Sequence, residues 1–515
     1  MKKLGIVLAM SVGLLLVACK DQNPAVDPTV TPTTDSTQDN RVMVVYNGTS
    51  AAVTVSQNIL SKITVLQSGA HVSITQSDDV ADEITYNLSG SSSDGGFYMS
   101  GNYKATVELN GLTLTNVSAT YSGAAVHVQN GKRIDVKVVT GTTNTLRDAS
   151  TGSQKGCLYI KGHAEFKQKG TLNVYGNVKH GIKAGEYISV KNATINVLSA
   201  VGDGINCEQF FLMESGAINI SGAGDDGIQC DIEDTTTGST GETTDHEGED
   251  SGNMYISGGS IAVDCEYKGI KAEGNLTISD GDIQVKSNAA ASSNGNHWGG
   301  NSSTTSAPEA IEAKGTLVIS GGHVYAQSAD DAINAGSDLT ISGGCVMAYS
   351  TGNDGIDANG NCYIKGGLIY AISASSPEVA IDANSEDQKK LYIEGGTIVA
   401  IGGLESSASI SGGTCKQTSS WSGTTWYALY NGSDVAFAFK TPTKSSSGGG
   451  GGPGGGGGSQ KMVVYTSSTP ALKSGVTAGG TEIFGGFAYY PATVSGGSTV
   501  SLSTYSNSGG GPGGW

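Results

Sequence analysis

The chain has 515 residues with 29 basic and 47 acidic side chains, and its formal net charge is −18 at pH 7. An acidic protein of this kind repels nucleic acid and anionic lipid surfaces, which excludes direct binding to either as its function. Charged residues are only 15% of the chain, so the imbalance is concentrated in particular segments.

Residues 1–19 have the composition of a lipoprotein export signal. Lys2 and Lys3 precede a short apolar core at 6–17, and the tetrapeptide that ends at Cys19 matches a bacterial lipobox. The apolar stretch is too short for a mature transmembrane helix. We expect Cys19 to be lipidated and to anchor a cell-envelope lipoprotein in the outer membrane or at the cell surface. The alternative is an ordinary secretory signal with an accidental cysteine.

Residues 20–40 follow this signal and are polar and rich in Thr and Pro, which predicts a disordered tether. From residue 41 onward, apolar and polar residues alternate in short runs, as in residues 105–109 and 134–138. Such alternation is typical of β-strands. Residues 41–178 are therefore predicted to form less regular coils of the same repeating β-architecture as the residues that follow them.

A short pattern recurs through the middle of the chain: an acid, a small residue and an isoleucine, followed by a polar and a small residue. Successive isoleucines are 22 to 25 residues apart in five steps, and the steps from Ile228 to Ile270 and from Ile270 to Ile311 are nearly twice as long. A fixed period in this range is the signature of a solenoid. The repeated isoleucines are Ile182, Ile205, Ile228, Ile270, Ile311, Ile333, Ile356 and Ile381.

Each repeat contains three runs with a period of two, as in residues 333–335, 339–341 and 346–348, and Ser-Gly-Gly turns often separate them. We predict an all-β fold, a right-handed parallel β-helix of three-strand coils of about 23 residues that stack about 4.8 Å apart. An antiparallel all-β array is the alternative. The predicted inward columns are the isoleucines and, two positions later, a column of Ala and Cys. On the second column Cys207 and Cys230 are expected to be buried free thiols, or at most one pair between adjacent coils.

The predicted β-helix covers residues 41–420, with insertions at about 231–252 and 286–308 where the isoleucine step is long. Residues 421–515 are expected to form a β-rich C-terminal cap that contains a Gly-rich linker at 448–458. A cap is needed because an open end of a β-helix exposes apolar core and unpaired strand edges.

Charged residues flank the isoleucine column in nearly every repeat, and we predict that they face outward. Carboxylates one coil apart would then repel by about 1 kcal/mol each even in water. Either bound cations neutralise them, or the acids are solvated with raised pKa values. Calcium suits the first alternative because its ligands are hard oxygens. The residues expected to bind calcium are Asp203, Asp225, Asp226, Asp231, Glu309, Glu312, Asp330, Asp331, Asn334, Asp354, Asp357 and Asp382.

Three aromatic residues are candidates for stacking against sugar rings. Trp298 lies in the second insertion, where it serves either as a sugar-stacking platform or as a loop anchor. Tyr325 and Tyr370 occupy equivalent outward positions on the third strand of their repeats. Exposed aromatic rows suit pyranose rings, but such rows more often pack beneath a cap or loop.

The coil pattern Asp-Gly-Ile followed by Ile-Ser-Gly-Gly, together with residues 103–112 and 144–148, resembles the bacterial carbohydrate-binding domain-containing β-helix family first described in cellulolytic clostridia. The resemblance extends over roughly residues 80–440. It implies an architecture similar to that of pectate lyases, calcium bound along the β-helix, and affinity for polygalacturonate or cellulose. The repeat at 268–271 (Lys-Gly-Ile-Lys) departs from the acidic pattern, which puts a cation in doubt at that coil.

Three functions remain as alternatives. The first is a surface-tethered, calcium-dependent carbohydrate-binding protein in which calcium bridges the acids of the protein and the uronates of the polysaccharide. The second is a calcium-dependent pectate lyase with Lys271 or Lys268 as the base, whose pKa nearby calcium would lower. The third is an adhesin or structural surface protein that calcium only stabilises. We expect the protein to be a monomer. We also expect binding rather than catalysis, because many parallel β-helix lyases use an arginine as the base and no arginine lies in the regular coils.

Overall fold

The computed structural model describes residues 31–232, 251–290, 307–375, 378–406, 408–444 and 460–506. The predicted export signal with Cys19, most of both insertions and the Gly-rich linker lie outside these residues. The described chain consists mainly of β-strands, so the predicted all-β class is confirmed. Its helices are too short to cross a membrane. They are 3-10 turns at Gln57–Lys62, Thr120–Gly123, Ser385–Asp387 and Phe484–Gly486.

The residues around the repeated isoleucines from Ile182 to Ile356 form one short strand per repeat, whereas Ile381 continues the column as a single parallel bridge to Ile356. From the second strand of this sheet onward, the strands pair in parallel. Ile205 pairs with Ile228, and Ile228 pairs with Ile270 across the first long step, so the insertion does not interrupt the register. Within the described residues this sheet has 12 strands: Ile63–Ser68, Ala70–Gln76, Gly95–Ser100, Val126–Gln129, Gly156–Ile160, His180–Ala184, Ile205–Cys207, Ile228–Cys230, Ile270–Ala272, Ile311–Ala313, Ile333–Ala335 and Ile356–Ala358.

The other two runs of each repeat belong to a larger sheet, in which strands one repeat apart are again parallel. Leu317–Ile319 pairs with Leu339–Ile341, and His323–Ser328 pairs with Cys345–Ser350. The 27 strands of this sheet in the described ranges are Thr33–Asp35, Arg41–Asn47, Ser50–Ser56, Ile84–Ser92, Ala105–Thr115, Ile134–Val138, Thr143–Arg147, Ala164–Lys167, Thr171–Gly176, Ile188–Val190, Thr194–Ala200, Phe210–Met213, Ala217–Ala223, Asn253–Cys265, Leu276–Ser287, Leu317–Ile319, His323–Ser328, Leu339–Ile341, Cys345–Ser350, Cys362–Ile364, Leu368–Ser373, Leu391–Ile393, Thr397–Ile401, Ser409–Ile410, Thr414–Thr418, Met462–Thr466 and Ser503–Thr504.

One apolar cluster runs along the array and includes the isoleucine column. Each isoleucine of that column is at most 1% exposed. Cys207 and Cys230 pair in register on the neighbouring column of small residues and are buried free thiols. The residue after each acid must be small. At Gly227, a Cβ would lie 2.4 Å from the carbonyl oxygen of Gly269, closer than any real contact allows.

Antiparallel strands meet the parallel array at both ends. Ile63–Ser68 pairs antiparallel with Ala70–Gln76 at the start of the smaller sheet. Met462–Thr466 runs antiparallel to Thr397–Ile401 near the end of the larger sheet. The direction of the strands therefore reverses where the parallel register would otherwise continue.

A small antiparallel barrel packs on the outer face of the larger sheet. Phe437 and Phe439 of the barrel share an apolar cluster with Met347, Tyr370 and Val399 of the sheet. The barrel therefore covers a side of the array as well as lying close to its end. Its strands are Trp426–Asn431, Asp434–Lys440, Pro470–Ile483 and Ala488–Thr499.

Candidate functional site

An aspartate caps the backbone of the next repeat in the repeats of Ile205, Ile228, Ile333 and Ile356. Oδ1 of Asp203 accepts the N–H of Asp226 at 3.3 Å, and Oδ1 of Asp226 accepts the N–H of Lys268 at 3.0 Å. Oδ1 of Asp331 accepts the N–H of Asp354 at 3.0 Å in the same way. These four aspartates are 3 to 8% exposed. The prediction that this column faces outward is therefore wrong, because each side chain leans against the neighbouring coil to reach its N–H.

The residues after the isoleucines form an adjacent column that is hydrogen-bonded to the first. Asn206 Nδ2 donates to Asp203 Oδ2 at 2.7 Å. Asn334 Nδ2 donates to Asp331 Oδ2 at 3.2 Å and to Asp357 Oδ2 at 2.8 Å. Asn334, a predicted calcium ligand, thus presents its amide nitrogen to both carboxylates, and only its Oδ1 is suited to a cation.

Asp203, Asp225 and Asp226 form the first carboxylate group, in which one oxygen of each residue lies within 4.8 Å of the others. Burial would raise the pKa of Asp203, but the hydrogen bond and charge of His180, 3.2 Å away, outweigh it and lower that pKa. Burial, followed by the charge of Asp203, raises the pKa of Asp226 to about 7 and also raises the pKa of Asp225. The group therefore concentrates more negative charge than its protein surroundings neutralise.

Asp354, Asp357 and Asp382 form the second carboxylate group, with the same 4.8 Å limit between oxygens. Burial raises the pKa of Asp354 to about 8, and the charges of Asp357, Glu378 and Glu405 add to the effect. Burial likewise raises the pKa values of Asp357 and Asp382, and the Glu405 carboxyl adds to the shift at Asp382. The neighbours that shift these pKa values upward are all acids.

Both carboxylate groups suit a calcium ion by donor chemistry and by spacing. Their donors are carboxylate oxygens, which calcium prefers, and calcium–oxygen distances are about 2.4 Å. Oxygens that lie within 4.8 Å of one another are close enough to contact one ion together. A cation would also relieve the repulsion that raises the pKa values of these acids.

A lysine interrupts the acidic column between the two groups. Lys268 Nζ lies 2.6 Å from Glu309 Oε2 and 2.5 Å from Glu312 Oε2. The protein itself supplies the countercharge here, a possibility that neither sequence-based alternative included. Glu309 and Glu312 are predicted calcium ligands that the structure instead places in an ion-paired cluster with Lys268.

The two candidate catalytic bases do not have lowered pKa values. Burial would lower both, but Glu309 and Glu312 raise the pKa of Lys268, and Glu273 raises that of Lys271. Lys271 Nζ is 2.8 Å from Glu273 Oε1. An ammonium group that is held protonated cannot accept a proton from a sugar carbon, so these contacts do not support the lyase hypothesis.

The other predicted calcium ligands lie near the two groups but outside them. Asp231 accepts hydrogen bonds from Asn206 Nδ2 at 3.2 Å and from Gln229 Nε2. Asp330 accepts one from Asn353 Nδ2 at 2.8 Å. Both side chains are half-buried. Because each already accepts at least one hydrogen bond from a neighbouring amide, each has a role that needs no metal.

The predicted aromatic platform is occupied by protein. Tyr370 is fully buried beneath the barrel, where it packs on Phe439 and donates its hydroxyl hydrogen to the carbonyl oxygen of Lys440 at 2.9 Å. The prediction that Tyr370 binds a ligand is therefore wrong, and the packing alternative holds. Tyr325 is half-buried and lies 6.1 Å from Phe487 between ring centroids. Trp298 is outside the described residues.

A cleft of about 380 Å³ opens beside the first carboxylate group. Lys155, Lys179 and Lys183 line this N-terminal cleft together with Asp203 and Asp225. Lys155 and Lys179 could not be singled out from the sequence, because they lie in turns before strands and belong to neither charged column. The available signal was that Lys179 directly precedes the repeat in which histidine replaces the acid.

Comparisons with known proteins give one family and one solved structure. The model of a family described as "carbohydrate-binding domain-containing protein" matches residues 68–355. A polysaccharide lyase-like protein from C. thermocellum, solved as a gadolinium derivative, is similar over 48% of this chain and 92% of its own, at 20% identity and a TM-score of 0.39. No curated protein matches the chain.

Proposed function

Since the chain belongs to the carbohydrate-binding domain-containing family, we propose that it binds a polysaccharide in a calcium-dependent manner, with an acidic, polygalacturonate-like chain as the preferred ligand and a cellulosic one as the alternative. We propose further that the parallel repeats wind as a right-handed β-helix and that a lipid on Cys19 holds the protein at the cell surface. The two carboxylate groups are the proposed calcium sites.

The observation that carries this proposal is the pair of three-carboxylate groups with oxygens within 4.8 Å. An acidic polysaccharide and a protein with a net charge of −18 repel each other. A divalent cation that coordinates both partners reverses this repulsion. Asp203, Asp225 and Asp226 would hold such an ion beside the N-terminal cleft, where an extended chain can approach it.

The binding experiment compares polygalacturonate affinity in calcium and in chelator by isothermal titration calorimetry. We expect binding in calcium and its loss in EDTA, because the cation supplies the attraction. Undiminished affinity in EDTA would contradict the proposal. If calcium raised the melting temperature but no glycan bound, the result would favour the structural alternative in which calcium only stabilises the protein.

A variant pair locates the ion in the same experiment. Asp225→Asn with Asp226→Asn removes two charges of the first carboxylate group and leaves an oxygen that can accept the N–H of Lys268. We expect polygalacturonate affinity to fall by at least roughly tenfold. The control, Asp282→Asn with Asp434→Asn, removes two exposed charges elsewhere and should bind like the wild type.

A further inference from the structure

The N-terminal cleft contains two lysines that are not ion-paired with any of the described residues. Lys183 Nζ is engaged by Asn206 Oδ1 at 2.6 Å and by Glu208 Oε1 at 2.7 Å. Lys155 and Lys179 are both exposed, and neither forms an ion pair with any residue that the structure describes. The Lys155 ammonium lies 5.7 Å from the centre of the Tyr159 ring. Two ammonium groups therefore border a cleft that also contains acids, without being neutralised by them.

The surroundings of the two carboxylate groups differ in this respect. His180, Lys183 and the two free lysines lie around the first group. Around the second group, Glu378 and Glu405 add negative charge. An anionic ligand that coordinates a cation is thus attracted at the first group and repelled at the second, so only the first has the charge distribution of a binding site for an acidic glycan.

The chemistry of the cleft points to a sugar with an ionised carboxylate. Lysine ammonium groups bind carboxylates through charge-assisted hydrogen bonds. The cleft volume of about 380 Å³ falls within the range of small-molecule sites, about 300–1,000 Å³. A methyl ester of the same sugar keeps its shape and hydroxyl groups but lacks the charge, so it loses the contact that an ammonium group favours.

We infer that Lys155 and Lys179 are specificity-determining residues, which select free uronate carboxylates over esterified ones in the N-terminal cleft. This inference rests on the proposed function, because it deepens the ligand class of the same site. The lysines bind the glycan carboxylate, and a cation on the first carboxylate group binds other glycan oxygens in the same cleft. The second carboxylate group then serves stability alone.

The test compares the full mature chain with Lys155→Gln plus Lys179→Gln, using polygalacturonate and fully methyl-esterified polygalacturonate as probes in calcium. We expect the double variant to bind polygalacturonate roughly tenfold or more weakly, since it loses two charge-assisted contacts to the glycan carboxylates. The affinity for the methyl ester, which we expect to be lower than that for polygalacturonate, should be the same in the double variant and the wild type. The calcium-induced rise in melting temperature should also be preserved, which shows that the carboxylate groups are intact.

The matched control is Lys389→Gln plus Lys390→Gln, which removes two exposed positive charges remote from the cleft in sequence. Equal affinity of the wild type and the cleft variant for polygalacturonate would overturn the inference alone. An equal loss in the control would do the same, since it would reduce the effect to net charge. Failure of the wild type to bind polygalacturonate in calcium would instead overturn the proposed function.

Discussion

The acid in the repeated pattern has a structural role that its charge does not suggest. Asp203, Asp226 and Asp331 each use Oδ1 to accept a backbone N–H one coil away. His180 stands in the same position, and when its imidazole is neutral its Nδ1 can accept the N–H of Asp203 at 3.2 Å. When the imidazole is protonated, the same Nδ1 instead donates to Asp203 Oδ2, also 3.2 Å away. Asp Oδ1 and His Nδ1 are both bonded to Cγ, so each places a hydrogen-bond acceptor at the same distance from the backbone. This shared position explains why a histidine can replace an aspartate.

Asp331 separates the capping role from the charge. Asp331→Asn keeps the acceptor for the Asp354 N–H and removes the carboxylate charge. Burial raises the pKa of this carboxyl, and the charges of Asp357, Asp330 and Asp354 raise it further. In chelator we expect Asp331→Asn to melt above Asp331→Ala, because its Oδ1 still accepts that N–H even though its Nδ2 now faces the Nδ2 of Asn334. Asp331→Ala leaves a buried N–H unpaired, at a cost of about 1–3 kcal/mol, and should melt lower. Differential scanning calorimetry measures both, and equal losses in the two variants would refute the capping role.

At the scale of the coil, periodicity predicted which residues share a column but not how their side chains are oriented. The isoleucine and small columns could be derived from spacing because they depend only on backbone register. The pairing of Lys268 with Glu309 and Glu312 could not, because it depends on the reach of a long side chain between coils. The burial of Tyr370 also could not, since the barrel that covers it is distant in sequence.

The second carboxylate group predicts a distinct pH dependence. The pKa of Asp354 is about 8 in the folded chain against 3.8 as its ordinary value, so the folded state holds a proton that the unfolded state releases. Without metal, this group therefore lowers stability as pH rises from about 4 to about 8. Calcium displaces such protons, so the calcium-induced rise in melting temperature should be larger at about pH 8 than at about pH 5.

The comparison is the variant Asp354→Asn with Asp382→Asn, which removes the titrating groups. Its melting temperature in EDTA should decrease less with rising pH than that of the wild type, and calcium should stabilise it less. Subtracting the curve of melting temperature against pH of one protein from that of the other cancels the contribution of carboxyls with lowered pKa values, such as Asp203 and Glu312, since both proteins contain them. Parallel curves would show that this group does not control the pH response.

At the scale of the whole molecule, the chain combines a repeating array with parts that do not repeat. The family match ends at residue 355, whereas the antiparallel barrel begins at Trp426. The barrel lies on the apolar strip of Met347, Tyr370 and Val399. Tyr370 as an outward aromatic residue and a β-rich C-terminal segment could both be predicted from the sequence. Their contact could not, because an antiparallel barrel has no period to compare with that of the repeats.

The register of the array predicts that it tolerates insertion of whole repeats only. A second copy of residues 206–228 inserted after Ile228 restores every downstream residue to its column, since Ile205 and Ile228 are 23 residues apart and paired. We expect a soluble protein with β-type circular dichroism and one cooperative melting transition. A copy of residues 206–217 alone shifts the columns by about half a coil and should not fold. Equal tolerance of both insertions would contradict a register-based core.

The capping bonds also limit how tightly the protein alone can hold an ion. Asp203 and Asp226 each commit one carboxylate oxygen to a backbone N–H, so they offer few oxygens to a metal that takes about six to eight. In the proposed complex, the remaining coordination positions would be taken by water or by hydroxyl and carboxylate oxygens of the glycan. By thermodynamic reciprocity, the sugar would then strengthen metal binding by the same factor as the metal strengthens sugar binding, and both would dissociate readily when either becomes scarce.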